Sequence, residues 1–161
     1  MAWRLRRAAE ADLDWLVAQE ERPEHAAFIG RSPRDEHLRN LGDADKYYTI
    51  AEDEDGARLA FAILRGLDLP QRSIELFRVA VAEANRGLGK ELMRRLIDLA
   101  FTELGANRLW LDVYDDNERA RHVYRTVGFR EEGVLREAAL RANGELGSLV
   151  VMSILAREYN G

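Results

Sequence analysis

The stretch from residue 73 to residue 128 constrains this chain most, because it alternates strand, helix, strand, helix. "SIELFRVAVA" (73–82) is rich in β-branched and aromatic residues, the composition of a strand. After it, Leu88, Leu92, Leu96, Ile97, Ala100 and Phe101 recur at helical spacing up to Gly105. "RLWLDVY" (108–114) reads as another strand. "DDNERARHVYRTVG" then sets Asp115 three residues before Glu118, a capping-box arrangement. It puts Ala120, Val123, Tyr124 and Val127 on one helical face, with Gly128 as its stop. The run points to an α/β fold.

The flanking segments supply more strands. "AWRLRRA" alternates apolar Trp3 and Leu5 with Arg4 and Arg6, and "AEADLDWLVAQEE" places Leu13, Leu16 and Val17 on one helical face. Residues 21 to 45 are broken by Pro23, Gly30, Pro33 and Gly42. Within them "SPRDEHLRNLG" predicts a short helix with Ser32 as N-cap, Pro33 at the first helical position and Gly42 as the stop. "KYYTIAED" (46–53), "ARLAFAILRG" (57–66) and residues 73–82 form an antiparallel meander, separated by the turn signals "EDG" and "LDLPQR". Residues 129–140 and 145–155 read as two long strands joined through Asn143-Gly144, a strong hairpin signal. With 161 residues and no linker or repeat, one domain over 1–161 is expected.

Composition removes several functional classes. There is no Cys, which excludes disulfides, thiolate metal sites and a cysteine nucleophile, and only His25, His37 and His122 remain, scattered along the chain. No metal is expected. No apolar run approaches the ~18 residues needed to cross a membrane, and the basic start lacks a following apolar stretch, so a cytoplasmic protein without a membrane partner is expected. Twenty-nine acidic and 24 basic residues give a net charge of −5, the wrong sign for a nucleic-acid binder and suited to a cationic partner.

"ANRGLGKELM" (84–93) packs two glycines in front of a helix. Gly87 and Gly89 serve either a tight turn or an anion, because a helix N-terminus carries unpaired N–H groups that a phosphate can approach only where the backbone is bare. The segment alone leaves both open. A dinucleotide fold would place such a turn near its start, and a nucleotide-hydrolase loop would need Gly-Lys-Ser or Gly-Lys-Thr, which is missing.

"VAVAEANRGLGKELM" followed by "RLWLDVYDDNERARHVYRTVGFREEGVLRE" resembles the GNAT superfamily of acetyl-CoA-dependent N-acetyltransferases, nearest to its branch of ribosomal-protein N-terminal and polyamine-type enzymes. The first stretch is similar to the family's Gln/Arg-x-x-Gly-x-Gly/Ala pyrophosphate loop. In the second, Asn117, Ala120, Tyr124, Gly128 and Phe129 match a further signature. One departure stands out: Ala84 occupies the place of the expected Gln or Arg.

The resemblance implies a mixed, mostly antiparallel sheet of about seven strands flanked by about four helices. It implies acetyl-CoA as co-substrate, bound by Val79, Val81, Asn85, Arg86, Gly87, Leu88, Gly89, Lys90, Asn117 and Ala120. It also implies direct attack on the thioester by a primary amine, either a small amine or a protein N-terminus. Tyr124 carries the thiolate-protonating role and Asn117 the pantetheine contact. On spacing alone, Tyr124 is a core aromatic and Asn117 a polar residue of a first helical turn.

The general base expected from the resemblance is Glu75, on the strand that lines the gap where thioester and amine meet. A strand Glu is also commonly an arginine partner, and Arg78 is three residues on. Glu131, Glu132, Glu20, Glu21 and Glu24 are candidates for binding a cationic acceptor, each with the alternative of ordinary solvated surface. The competing functional readings are a non-catalytic CoA-binding sensor or interaction module, and an aminoglycoside-type acetyltransferase. The apolar "SLVVMSIL" in the last strand suggests a homodimer.

Overall fold

A seven-stranded sheet in the order β1-β2-β3-β4-β5-β7-β6 organises the computed structural model, which describes residues 2–82 and 87–161. The strands are β1 (Trp3–Arg7), β2 (Lys46–Asp53), β3 (Arg58–Arg65), β4 (Ser73–Val81), β5 (Arg108–Tyr114), β6 (Arg130–Leu140) and β7 (Leu146–Leu155). Every neighbouring pair is antiparallel except β4 and β5. The expected meander of β2, β3 and β4 is present, and β6 and β7 form the hairpin, whose tip is closed by Gly144 N–H donating to the Arg141 carbonyl at 2.9 Å.

The helices are α1 (Leu13–Glu21), α2 (Pro23–Ala26), α3 (Arg34–Leu41), α4 (Leu88–Asp98) and α5 (Glu118–Thr126), so the broken segment holds one more short helix than the sequence suggested. On one sheet face, Leu88, Leu92, Met93, Leu96 and Ile97 of α4 pack against Ile74, Leu76, Leu109, Leu111 and Met152. Ala120, Val123 and Tyr124 of α5, with Val127 at its C-cap, lean on the same core, as their spacing predicts. After Asp98 the helix widens into one π-turn, Leu99–Glu103, closed by Leu104 N–H to Leu99 carbonyl at 3.0 Å. That turn keeps Leu99 and Ala100 buried before the chain leaves at Gly105.

The other face carries a smaller core of Leu16, Tyr48, Ile50, Phe61, Ile63 and Ala80. Beneath it lies a buried polar network. Glu20 is fully buried, accepting from Arg78 Nη1 at 2.6 Å, with His37 Nε2 at 2.7 Å from its other oxygen; His37 Nδ1 in turn lies 2.6 Å from the Tyr48 hydroxyl. This corrects the reading of Glu20 as a surface group for an acceptor: both its oxygens are spent holding α1, α3 and β4 together. Glu20→Ala is expected to cost about 3–5 kcal/mol in urea unfolding, because it leaves the Arg78 charge buried and unpaired. Exposed Glu21→Ala, one residue on, is expected to stay within about 0.5 kcal/mol of the parent.

Two helix caps also differ from expectation. Pro33, not Ser32, is the N-cap of α3, with extended backbone at ψ 154°. The Ser32 hydroxyl instead accepts from Arg78 Nη1 at 3.0 Å, so a buried guanidinium outcompetes the helix end for it. At α5 the cap is Asn117 rather than Asp115, its Oδ1 accepting from the Ala120 N–H at 3.3 Å.

Candidate active site

Parallel pairing of β4 with β5 covers only three positions, Ser73 with Arg108, Ile74 with Leu109 and Glu75 with Trp110. Beyond them the strands part. A register shift against β3 marks a bulge at Phe77, since Ile63 faces Arg78 while the next residue, Leu64, faces Leu76. Bulges bend a strand and sharpen its twist, which helps carry β4 away from β5. β5 stays paired to β7 along its whole length, from Arg108 to Tyr114. The result is a cleft through the middle of the sheet.

Val79 and Val81 border this cleft. The Ala82 N–H donates to Leu59 on β3 at 2.8 Å. Since backbone groups of alternate residues point to opposite neighbours, Val79 and Val81 direct theirs toward β5. The Val81 carbonyl is met there by His25 Nε2 at 3.0 Å. Their side chains pack on the α4 side of the sheet.

At the end of the cleft stands the N-terminus of α4. Gly87 is its N-cap, in the left-handed region at φ 66°, which other residues adopt at a cost. A Cβ on Gly87 or on Gly89 would meet none of the described residues within 4 Å, which leaves both open toward them beside the first-turn N–H groups. Leu88 is buried and anchors the turn; Lys90 is exposed. Asn85 and Arg86, named from the sequence, lie outside the described residues. The arrangement fits a diphosphate in charge and in clearance.

Three titratable groups converge on the cleft. Tyr124 projects from α5, half-buried, its ring tilted against Phe129 with centroids 5.8 Å apart. Its hydroxyl has no hydrogen-bond partner among the described residues. Burial, and then the negative charge of Asp112, push it up to about 12. Glu75, buried on β4, accepts from Arg65 Nε at 2.7 Å. Burial raises its carboxyl above the usual range, Arg65 offsets part of that, and Asp112 adds to the rise.

Asp112 itself sits on β5, two residues beyond the Trp110 that pairs with Glu75 and so on the same sheet face. It is exposed, yet the protein packed about it holds its carboxyl above the usual range, against the pull of Arg65. No described residue makes an ion pair or hydrogen bond with it. Sequence reading missed Asp112. The alternation of Arg108, Trp110, Asp112 and Tyr114 was the available signal, a lone acid among aromatics on one strand face.

Of the remaining candidates, Glu21 is exposed and has no ion pair or side-chain hydrogen bond among the described residues, and the others are occupied elsewhere. Glu131 binds Arg121 and Arg125 at 3.0 and 3.1 Å, and Glu132 binds Arg108 and the Ser153 hydroxyl. Glu24 pairs with Arg22. Asn117 and Ala120 hold each other at the start of α5, as described.

The chain matches the acetyltransferase (GNAT) family over residues 10–129. It is 35% identical over 108 residues to the Bacillus subtilis protein named "Putative ribosomal N-acetyltransferase YdaF", covering 66% of this chain and 58% of that one. It is 40% identical over 88 residues to streptothricin acetyltransferase of Streptomyces lavendulae, covering 54% and 46%. The chain thus spans about half the length of these two curated relatives. Its fold is similar to the crystal structure of spermidine N-acetyltransferase from Vibrio cholerae in complex with CoA and spermine, with TM-score 0.88, 25% identity, and 98% of this chain and 97% of that one covered.

Proposed function

Because the chain belongs to the acetyltransferase (GNAT) family, we propose that it moves the acetyl group of acetyl-CoA to a primary amine by direct attack within a ternary complex. The observation that carries this reading is the split between β4 and β5, with bare helix N-terminus at one end and Tyr124, Glu75 and Asp112 gathered on it. The α4 N–H groups at Gly87, Leu88 and Gly89 take the diphosphate. The cleft-facing backbone of Val79 and Val81 takes the amide-bearing arm. Asn117 and Ala120, already joined at the α5 cap, border that arm.

Tyr124 lies on the helix side of the sheet and the two carboxylates on the opposite face, so donor and acceptor approach from opposite sides. The amine arrives as an ammonium, and a carboxylate must take its proton before nitrogen can attack. Glu75, predicted from the sequence as the base, is tied to Arg65. Asp112, unpaired among the described residues and with proton affinity raised by burial, is better placed for the first transfer, and its charge in turn raises Glu75. As the tetrahedral adduct collapses, the C–S bond breaks and the Tyr124 O–H faces the departing sulfur. No covalent enzyme intermediate is needed.

Acetyl-CoA is expected to raise the thermal midpoint, and free thiol is expected to appear only when an amine is present. Binding without thiol release from any of a set of amino-terminal peptides, polyamines and aminoglycosides would favour the sensor reading. We also infer a homodimer through the β6–β7 hairpin, where β6 is exposed along nearly its whole length and Val134, Leu135, Leu140 and Leu146 lie open. Sedimentation equilibrium showing only monomer at micromolar concentration would remove that claim.

A further inference from the structure

Beyond Glu75, β4 has a strand partner on one side only, so the cleft-facing carbonyl of Val81 has no β5 N–H to accept from. His25 fills the place. Its Nε2 lies 3.0 Å from that carbonyl, and its Nδ1 lies 2.8 Å from the Gln19 carbonyl near the end of α1. Arg22 donates from Nη1 to the next carbonyl of the strand end, that of Ala82, at 3.3 Å. The segment after α1 is thus fastened to the free end of β4 by side-chain donors that replace a missing strand.

Little else fastens it. α2 is four residues long and buries none of them, and no residue from 22 to 28 is buried. One helical turn is marginal by itself, and without buried apolar contacts local opening costs little. Nor is the His25 bond hard to give up. Both of its partners only accept, and a neutral imidazole carries one N–H between them. When the Val81 carbonyl finds another donor, that N–H serves Gln19, and neither carbonyl is left without a bond. Leu16 and Ile29, on either side of the segment, pack on the sheet face that carries Glu75 and Asp112, the side from which the amine arrives.

We infer that His25 is a positioning residue that trades places with acetyl-CoA: it donates to the Val81 carbonyl in the free protein and yields it to an amide N–H of the incoming arm, which releases residues 22–28 from β4. This rests on the reading above, in which the backbone of Val79 and Val81 takes that arm. The co-substrate then loosens one segment while it tightens the strand beside it.

The Kd for acetyl-CoA, measured by calorimetry on His25→Ala, His25→Asn and His25→Gln, is the first test. The amide of Gln reaches about as far as Nε2 and that of Asn about as far as Nδ1, so Gln keeps the bond to Val81 while Asn and Ala lose it. The Ala and Asn variants are expected to bind acetyl-CoA about threefold to tenfold more tightly than the parent, the worth of one hydrogen bond, and the Gln variant within about twofold of it. A purely structural role predicts weaker binding in His25→Ala. Unchanged or weaker binding in the Ala and Asn variants, or equal tightening in all three, overturns the inference. Hydrogen exchange in the parent is the second test. The amides of Ala26 and Phe28, which donate to the Arg22 and His25 carbonyls, are expected to exchange faster at saturating acetyl-CoA, while Val79 and Val81 slow. Slowing at the two valines without acceleration at Ala26 and Phe28 overturns the inference alone. Absence of slowing at the valines overturns the reading of the cleft on which it rests.

Discussion

Replacing Tyr124 with phenylalanine is expected to lower kcat about tenfold to a hundredfold while leaving the Kd for acetyl-CoA within about threefold of the parent. The ring, its contact with Phe129 and the apolar face of α5 all survive the change. Because no described residue shares a hydrogen bond with the hydroxyl, its loss orphans nothing, and the unfolding free energy is expected to move by less than about 0.5 kcal/mol.

The size of the kinetic effect follows from proton affinities. A phenol pushed up to about 12 holds its proton far more tightly than a thiol, whose ordinary value is about 8.5, so full transfer to sulfur is uphill by roughly a thousandfold or more. What Tyr124 offers is a charge-assisted hydrogen bond to the thiolate as it forms, worth about 1.5–3 kcal/mol. The phenol also stays protonated across the working range, so the basic limb of the rate profile arises elsewhere. The acid limb belongs to the Asp112 and Glu75 pair. Both carboxyls are raised, so activity is expected to climb with pH at values above the ordinary carboxylate range, and Asp112→Asn is expected to remove that limb together with most of the rate. Parent-like turnover in Tyr124→Phe would refute the assignment.

Gly89→Asp is expected to weaken acetyl-CoA binding about a hundredfold or more while leaving the free protein as stable as the parent or more so. A Cβ at Gly89 meets none of the described residues within 4 Å, and the residue lies in the first turn of a helix, where replacing glycine lowers the entropy cost of folding. A negative charge in the first turn adds to that through the helix dipole, by about 0.3–1 kcal/mol. The same charge stands where a diphosphate must sit, and repels it. Opposite signs for stability and affinity in one variant distinguish an anion site from a packing turn, which predicts no loss of binding. A thermal shift titration with acetyl-CoA reads both quantities. Gly87 suits this test less well, since its φ of 66° strains any replacement.

Much of this architecture is legible from residue patterns, because local periodicity and turn chemistry act over a few positions. The bounds of β5 follow from its alternation, the hairpin from Asn143-Gly144, and the α5 face from Ala120, Val123, Tyr124 and Val127. What escapes is set by distant partners. Glu20 reads as helix surface until Arg78 and His37, 58 and 17 residues away, close on it. Ser32 reads as a cap until the same arginine claims its hydroxyl. Asp112 gains meaning only once β4 and β5 separate, a consequence of the bulge at Phe77 and of how two strands twist, neither of which alternation within one strand reveals.

The three-residue ladder between β4 and β5 also has a thermal side. Cooperative opening units in a sheet follow continuous hydrogen bonding, and here that continuity is nearly cut between the β1-β2-β3-β4 half and the β5-β7-β6 half. Amide protons of Val79 and Val81 point into the cleft and are expected to exchange with deuterium quickly, although they belong to a central strand. Those of Ala80 and Ala82, turned toward β3, exchange slowly. A ligand arm laid along the cleft would act as a substitute strand, suppressing exchange at the two valines and joining the halves into one opening unit.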